Sequence, residues 1–456
     1  MKKLMIKTIC FVVIMTCFVF AISTNIYAVT DKTATTANFT EVLAGAVDGD
    51  VIVLEDGTYD MGNITIDKQI TLKGTSKENT IINGSITINA NLTLQNLTVS
   101  STTDEVLLAN KKVDLKVDNC VLEYKGHTET NYGPWTAGIC LQKGVSDGST
   151  VKVTNTDIYA KYGIWVYSQE NKVTIEKCQI TGWAPLDISN GASEKVNLAK
   201  NNEVTIKDST LTGVGLYNGD TNAYGNIVIG GQDGLILNII NTTVQNKIQS
   251  DNAQDLILYG SAYMPSKNVQ ITIESSKLIN TDITDKSAVV NLGKAENAKP
   301  ESTNLIVISS DTKITTQNDK VYAPVTGYLT LTLSTIEGDV VMSLPTNTTL
   351  SKEDLKPDAV EGYTFKGYFT DKNFKTLFDY SALTTDTVLY AKFVKNPEEN
   401  TNSTEETNNE IVNDTVDEEI TNPKTYDDIL NYAIIALLGV AVLFGIRVYS
   451  KKNDKK

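Results

Sequence analysis

The chain is 456 residues long, room for two or three domains, with a formal net charge of -15 at pH 7. That balance excludes nucleic-acid or anionic-membrane binding through a basic surface. Its single arginine, Arg447, lies near the end of the chain.

Residues 1–28 read as a secretory signal: Lys2 and Lys3, an apolar run through Phe20, and small residues before Ile26-Tyr-Ala28. Two of the five cysteines leave with it, so Cys120, Cys140 and Cys178 remain, an odd number for an exported protein. Phe39, Val42, Leu43 and Ala46 then fall on one helical face, able to cover the otherwise open end of a β structure.

From Leu92 onward one phrase keeps returning: apolar, any, apolar, any, polar, two spacers, apolar. Its corner residues are Asn96, Asn119, Asn155, Lys177, Asp208, Asn241, Ser275 and, more weakly, Ser309. Counted along the sequence, the steps between them are 23, 36, 22, 31, 33, 34 and 34 residues. The alternation is strand period, rich in Val, Ile and Thr, and each run is too short to bury anything alone. Copies in one direction, with no crossover helix between them, predict a parallel β-helix of stacked coils about 4.8 Å apart. The corner Asn or Asp tolerates a left-handed backbone angle and can bond its equivalent on the next coil. Lys177, Ser275 and Ser309 make that ladder partial, and the excess residues after Asn119 and Asn241 must protrude. Cys120 and Cys178 sit two coil steps apart, about 9.6 Å, beyond the roughly 7 Å limit for a disulfide. All three thiols therefore read as small buried hydrophobes, and no metal site is expected, since the histidines and close Cys pairs of one are absent.

From Phe39 to Thr315 the chain resembles the pectate-lyase-like right-handed β-helix superfamily. The likeness is strongest in Phe39-Thr-Glu-Val-Leu-Ala44, Asp48-Gly-Asp-Val-Ile-Val-Leu54 and Asp56-Gly-Thr-Tyr59. It implies a helix-capped first coil and, beyond that, architecture more than activity. Residues 29–322 are assigned to this domain.

Residues 327–395 change character. Glu361-Gly-Tyr-Thr-Phe-Lys-Gly-Tyr-Phe-Thr-Asp371, Phe378-Asp-Tyr380 and Thr387-Val-Leu-Tyr-Ala-Lys-Phe393 resemble the Listeria–Bacteroides repeat, the B-repeat of internalins. Tyr368 and Phe393 stand where tryptophan is commoner in that repeat. The resemblance implies a small β-grasp-like module used as a spacer or contact domain, and its aromatics read as its minimal core. Residues 396–421 hold nine Asp or Glu and no Lys, an acidic disordered linker by composition, spanning about 28 Å as a coil.

At the end, Asn422-Pro-Lys-Thr-Tyr426 precedes an apolar run over 429–446 and a tail rich in lysine. Eighteen helical residues reach about 27 Å, enough for one transmembrane helix. An ordinary anchor is one reading. The other is that the stretch 422–456 resembles a sortase sorting signal, which implies Gram-positive origin and cleavage after Thr425. It also implies covalent transfer to peptidoglycan, with sortase and peptidoglycan as partners and the mature protein on the extracellular face of the cell wall. Asn422, Pro423, Lys424, Thr425 and Tyr426 form that site, with Asn422 and Tyr426 departing from the usual leucine and glycine.

Lyases of this fold need a base and positive charge, commonly arginine and calcium, and hydrolases need paired carboxylates. Neither pattern is visible before Arg447, so no catalytic residue and no cofactor are assigned. All three tryptophans lie within 135–183. In Ile164-Trp165-Val166 and Leu186-Asp187-Ile188 the apolar residues should face inward, leaving Trp165 and Asp187 outward on neighbouring coils. With Tyr167 and Trp183 they form a candidate glycan-binding surface. The competing reading is a packed aromatic cluster under the loop 123–138, which carries His127 and Trp135. The whole reads as all-β: a right-handed parallel β-helix, a β-grasp-like repeat, a disordered linker and a transmembrane helix. The expected role is a cell-wall adhesin or glycan-binding module. An extracellular polysaccharide lyase or hydrolase is the alternative, and a passive stalk a further one.

Overall fold

The computed structural model describes residues 31–131, 136–190, 197–220, 225–247, 255–259, 266–281, 289–291, 305–309, 311–316, 328–357 and 359–396. The predicted signal at 1–28, the sorting motif Asn422–Tyr426 and the apolar run 429–446 lie outside the described residues. No helix among the described residues is long and apolar enough to cross a membrane.

The repeated phrase does build stacked parallel coils. One sheet takes a strand from each coil, running from Asp31–Ala34 through Leu92–Gln95, Thr150–Thr154 and Glu203–Lys207 to Leu305–Ile308. A second sheet takes two short strands per coil, such as Asp157–Tyr159 and Tyr162–Val166, then Gln179–Gly182 and Ala184–Ser189. Registers are straight: Val151 pairs with Val173, Val173 with Val204, Val204 with Leu237, and Leu237 with Ile271. The inward-facing aliphatics make one continuous buried core over all the coils. At the first coil the helix Phe39–Ala44 buries Phe39 edge-on against Tyr59, ring centroids 5.4 Å apart. The Tyr59 hydroxyl donates to the carbonyls of Ala34 and Glu55, at 3.0 and 2.8 Å.

The corner residues have the left-handed angle that the phrase predicts. Asn96, Asn119, Asn155, Lys177, Asp208, Asn241 and Ser275 have φ between 45° and 55°. Ser309 is not among the left-handed residues, so the column of corners ends at Ser275. Side-chain laddering is partial, as expected. Asn119 donates to Asn96 at 2.9 Å and Asn241 to Asp208 at 2.6 Å, but Asn155 reaches Asp118 instead. At Lys177 the backbone alone carries the corner, its N–H donating to the Lys207 carbonyl at 3.1 Å.

A second ladder runs one residue beyond the corners, inside the wall. The Cys120 N–H donates to the Thr156 hydroxyl (3.3 Å), Cys178 to Ser209 (3.0 Å), Ser209 to Thr242 (3.3 Å) and Thr242 to Ser276 (3.1 Å). Each hydroxyl in turn donates to the carbonyl two residues before it, at 2.7 to 2.9 Å. These N–H groups would otherwise be buried without a partner. Thr156→Val, which keeps the shape and deletes the acceptor, should cost about 1–3 kcal/mol in urea unfolding at unchanged slope. An unmoved midpoint would mean that the ladder is not what satisfies Cys120. The same ladder places Thr156 between Cys120 and Cys178, and all three thiols are buried and free. Burial pushes the Cys120 and Cys178 thiols up to about 11.

The C-terminal module, expected as a separate spacer, is joined to the coils by backbone pairing. Its strand Gly338–Pro345 runs antiparallel to the last rung, Leu305–Ile308, with Met342 opposite Val307. Strands Tyr328–Thr335, Thr387–Lys395 and Tyr363–Phe369 follow in that order, so one sheet continues out of the β-helix. The physical reason is the open edge: a final rung presents unpaired N–H and C=O groups, and a strand laid on it removes them. The module keeps its own core, in which Leu331, Tyr368, Phe378, Leu389 and Phe393 are buried, whereas Phe369, Phe374 and Tyr390 lie outside that core.

Candidate functional site

The four candidate glycan contacts lie on two consecutive coils: Trp165 and Asp187 in strands of the second sheet, Tyr167 just after the first of these strands and Trp183 just before the second. Ile164, Val166, Leu186 and Ile188 are fully buried in the core, so the residues between them face away from it. Trp165 and Asp187 are register partners, flanked by Cys140 one coil before and Val228 one coil after. To this point the sequence pattern and the structure coincide.

The surroundings differ from the expectation of an open platform. Tyr167 stacks on Trp165 with centroids 4.6 Å apart and planes at 18°, and Tyr162 lies 5.0 Å from it at 34°. Trp165 is half-buried in a small cluster outside the main core, with Ala137, Cys140, Tyr162, Ala184 and Val228. Its indole N–H is buried and meets no acceptor among the described residues. Asp187 is not a solvent-facing acid: it is 4% exposed, and its Oδ1 meets no donor among the described residues. Burial pushes its carboxyl up to about 7, only partly offset by a hydrogen bond from Ser189. Burial first, and then the charges of Glu105 and Asp187, also hold the Cys140 thiol far above its ordinary value.

Trp183 is placed differently. Its ring is 6.3 Å from Tyr162, so Tyr167, Trp165, Tyr162 and Trp183 form one aromatic strip. Beyond Trp183 the strip opens into a cleft of about 440 Å³, walled by Tyr124, His127, Tyr159, Lys161, Tyr217 and Trp183. The Lys161 ammonium lies 5.1 Å from the Trp183 ring centroid, and burial lowers its pKa. At the other end of the strip Lys143 stands 5.6 Å over Tyr167. His127, which reads from the sequence as an ordinary loop residue, rests on Tyr124 at 4.6 Å and lies 3.3 Å from the Thr136 hydroxyl. Trp135 lies outside the described residues. The cleft itself is not apparent from the sequence. Tyr124, Tyr159 and the turn Gly215-Leu-Tyr-Asn-Gly-Asp220 converge only because the coils stack. Among the described residues no group of three or more His, Cys, Asp or Glu is placed to hold a metal ion.

No family model matches the chain, and no curated protein does. Among solved structures it is similar to a point mutant of a PL6-family alginate lyase, at 15% identity and a TM-score of 0.34. That match covers 62% of this chain and 39% of the lyase, so the chain spans well under two thirds of it. A mannuronic-acid-specific family 6 lyase from human gut microbiota matches at 11% identity and TM-score 0.29, over 64% of this chain and 84% of that one. A pectin methylesterase mutant in complex with a hexasaccharide matches at 12% and 0.27, over 65% and 94%. All three are carbohydrate-active enzymes by name, the class that the sequence places second. At these scores neither fold nor activity follows from the likeness.

Proposed function

We propose that this is a carbohydrate-recognition protein of the cell surface, binding a glycan in the cleft at Trp183 on the flank of the β-helix. One observation carries the reading: a cleft of about 440 Å³ whose wall combines Trp183, Tyr124, Tyr159 and Tyr217 with Lys161. Aromatic walls with a few polar groups are the usual composition of small-ligand sites, and this volume falls within their range. Ring faces pack on the C–H faces of sugars, and lysine donates to their oxygens. Trp165 and Tyr167 support Trp183 through the strip. Sorting through Asn422–Tyr426 with transfer of Thr425 to peptidoglycan completes the proposal, with the acidic linker between module and wall.

The test is a glycan array probed with the protein and with Trp183→Ala. Saturable binding that the variant loses, at an unchanged melting temperature, supports recognition at this cleft. A blank array for both moves the weight to a structural stalk.

The alternative, a polysaccharide lyase or hydrolase, has one observation in its favour. Asp187, with a carboxyl near neutrality beside the strip, has the property that a proton-transferring group needs. A bound glycan recovered shortened would establish that reading, and loss of cleavage in Asp187→Asn would assign the group.

A further inference from the structure

The outer face of the C-terminal module carries a set of side chains that the glycan reading does not use. Leu389, Ala391 and Phe393 point into the module core, so Val388, Tyr390, Lys392 and Val394 alternate to the opposite face. Phe369 pairs with Tyr390 on the adjoining strand, and Phe374 and Leu377 come after it in the chain. Val388, Val394, Phe374 and Leu377 are 43, 39, 36 and 55% exposed, half of the large exposed hydrophobics among the described residues. Two cations stand over the rings. The Lys392 ammonium is 5.8 Å from the Phe369 centroid and 5.6 Å from that of Phe374, and the Lys372 ammonium is 5.9 Å from Tyr390. Neither lysine forms an ion pair with a described residue. The adjacent acid, Asp371, is committed elsewhere. Its carboxylate accepts from the backbone N–H groups of Asn373, Lys375 and Thr376, led by the 2.7 Å bond from Thr376, and these hold its pKa down.

We propose that the acidic stretch 397–421 of this same chain lies across that face. The described chain leads to it: the Asn396 N–H donates to the Gly362 carbonyl at 2.7 Å, so the described backbone ends beside Val394, at the end of this strand pair. The stretch holds nine carboxylates and no lysine, together with Ile411, Val412, Val416 and Ile420. It therefore offers negative charge and apolar side chains to a face that offers positive charge and apolar side chains. Its 25 residues can extend to roughly 80 Å, ample to cross a small module, and tethering gives it an effective concentration on the order of millimolar. A weak contact is then sufficient, and it weakens with salt as exposed ion pairs do.

The experiment is lysine acetylation footprinting of the full chain, against a variant with every Asp and Glu of 397–421 changed to its amide. That change leaves every described residue in place, and Lys116 on the β-helix serves as the reference. Lys372 and Lys392 should react several-fold more slowly in the native chain than in the amide variant. High salt should abolish the difference while Lys116 stays constant. Equal reactivity in the two chains would overturn the proposal. Protection shared by both chains and lost on dilution would also overturn it, because a second copy would then be the occupant.

Discussion

Asp187→Asn is expected to remove a pH-dependent loss of stability that the buried carboxyl should impose on the native protein between about pH 4 and pH 7. The folded carboxyl titrates near 7 against an ordinary value of 3.8, because burial penalises its charged form. Below pH 4 it is protonated in both folded and unfolded chains and contributes no difference. As pH rises, the unfolded chain releases this proton first, so folding becomes progressively less favourable until the folded carboxyl also ionises near 7. Above that the deficit is constant. The rise from 3.8 to about 7 corresponds to about 4 kcal/mol. Asparagine has the same shape and no charge to desolvate, so the gap between the two unfolding curves should widen over this window and then level off. Parallel curves from pH 4 to 8 would show that Asp187 is solvated in the folded protein, and its claim to proton transfer would fall with its raised pKa.

The two halves of this site were not equally legible. That Trp165 and Asp187 face out on adjacent coils follows from Ile164, Val166, Leu186 and Ile188 alone, because strand period fixes the face and the corner column fixes the register. Their cover does not follow. Tyr162 and Tyr167 close over Trp165 through ring orientations that alternation does not encode, and Asp187 is buried between its register partners on the adjoining coils, Trp165 and Val228. The cleft at Trp183 has the same origin, since its walls come from segments as distant as Tyr124 and Tyr217.

The fold shows the same division. Asn96, Asn119 and Asn155 announce their corners because few residues tolerate φ near +50°. The hydroxyl ladder was present in the phrase, as Thr156, Ser209, Thr242 and Ser276 at one position beyond the corner. Cys120 and Cys178 at that position, read as small buried hydrophobes, interrupt the run of hydroxyls and mask it. The C-terminal stretch differs in pattern from the coils before it, but its pairing with Leu305–Ile308 was not legible. Edge strands carry no specific sequence mark for the partner that covers them, since the contact is made by backbone groups that every residue shares.

The strip also predicts that its two tryptophans behave oppositely on truncation. Trp165→Ala should lower stability by about 3 kcal/mol, because it removes a ring held between two others and leaves a cavity bounded by Tyr162, Tyr167 and Cys140. Glycan binding should weaken as well, but only as far as Trp183 loses its support through Tyr162, and Trp165→Phe should restore most of both. Trp183 borders the open cleft, so its truncation should abolish binding with little change in melting temperature. Melting curves and glycan titrations on the three variants separate a supporting residue from a contacting one. If Trp165→Ala loses binding with its melting temperature intact, the ring touches the ligand directly. The binding surface would then extend along the whole strip to Tyr167 and Lys143, and the stack seen between Tyr162 and Tyr167 would have to open to admit a sugar.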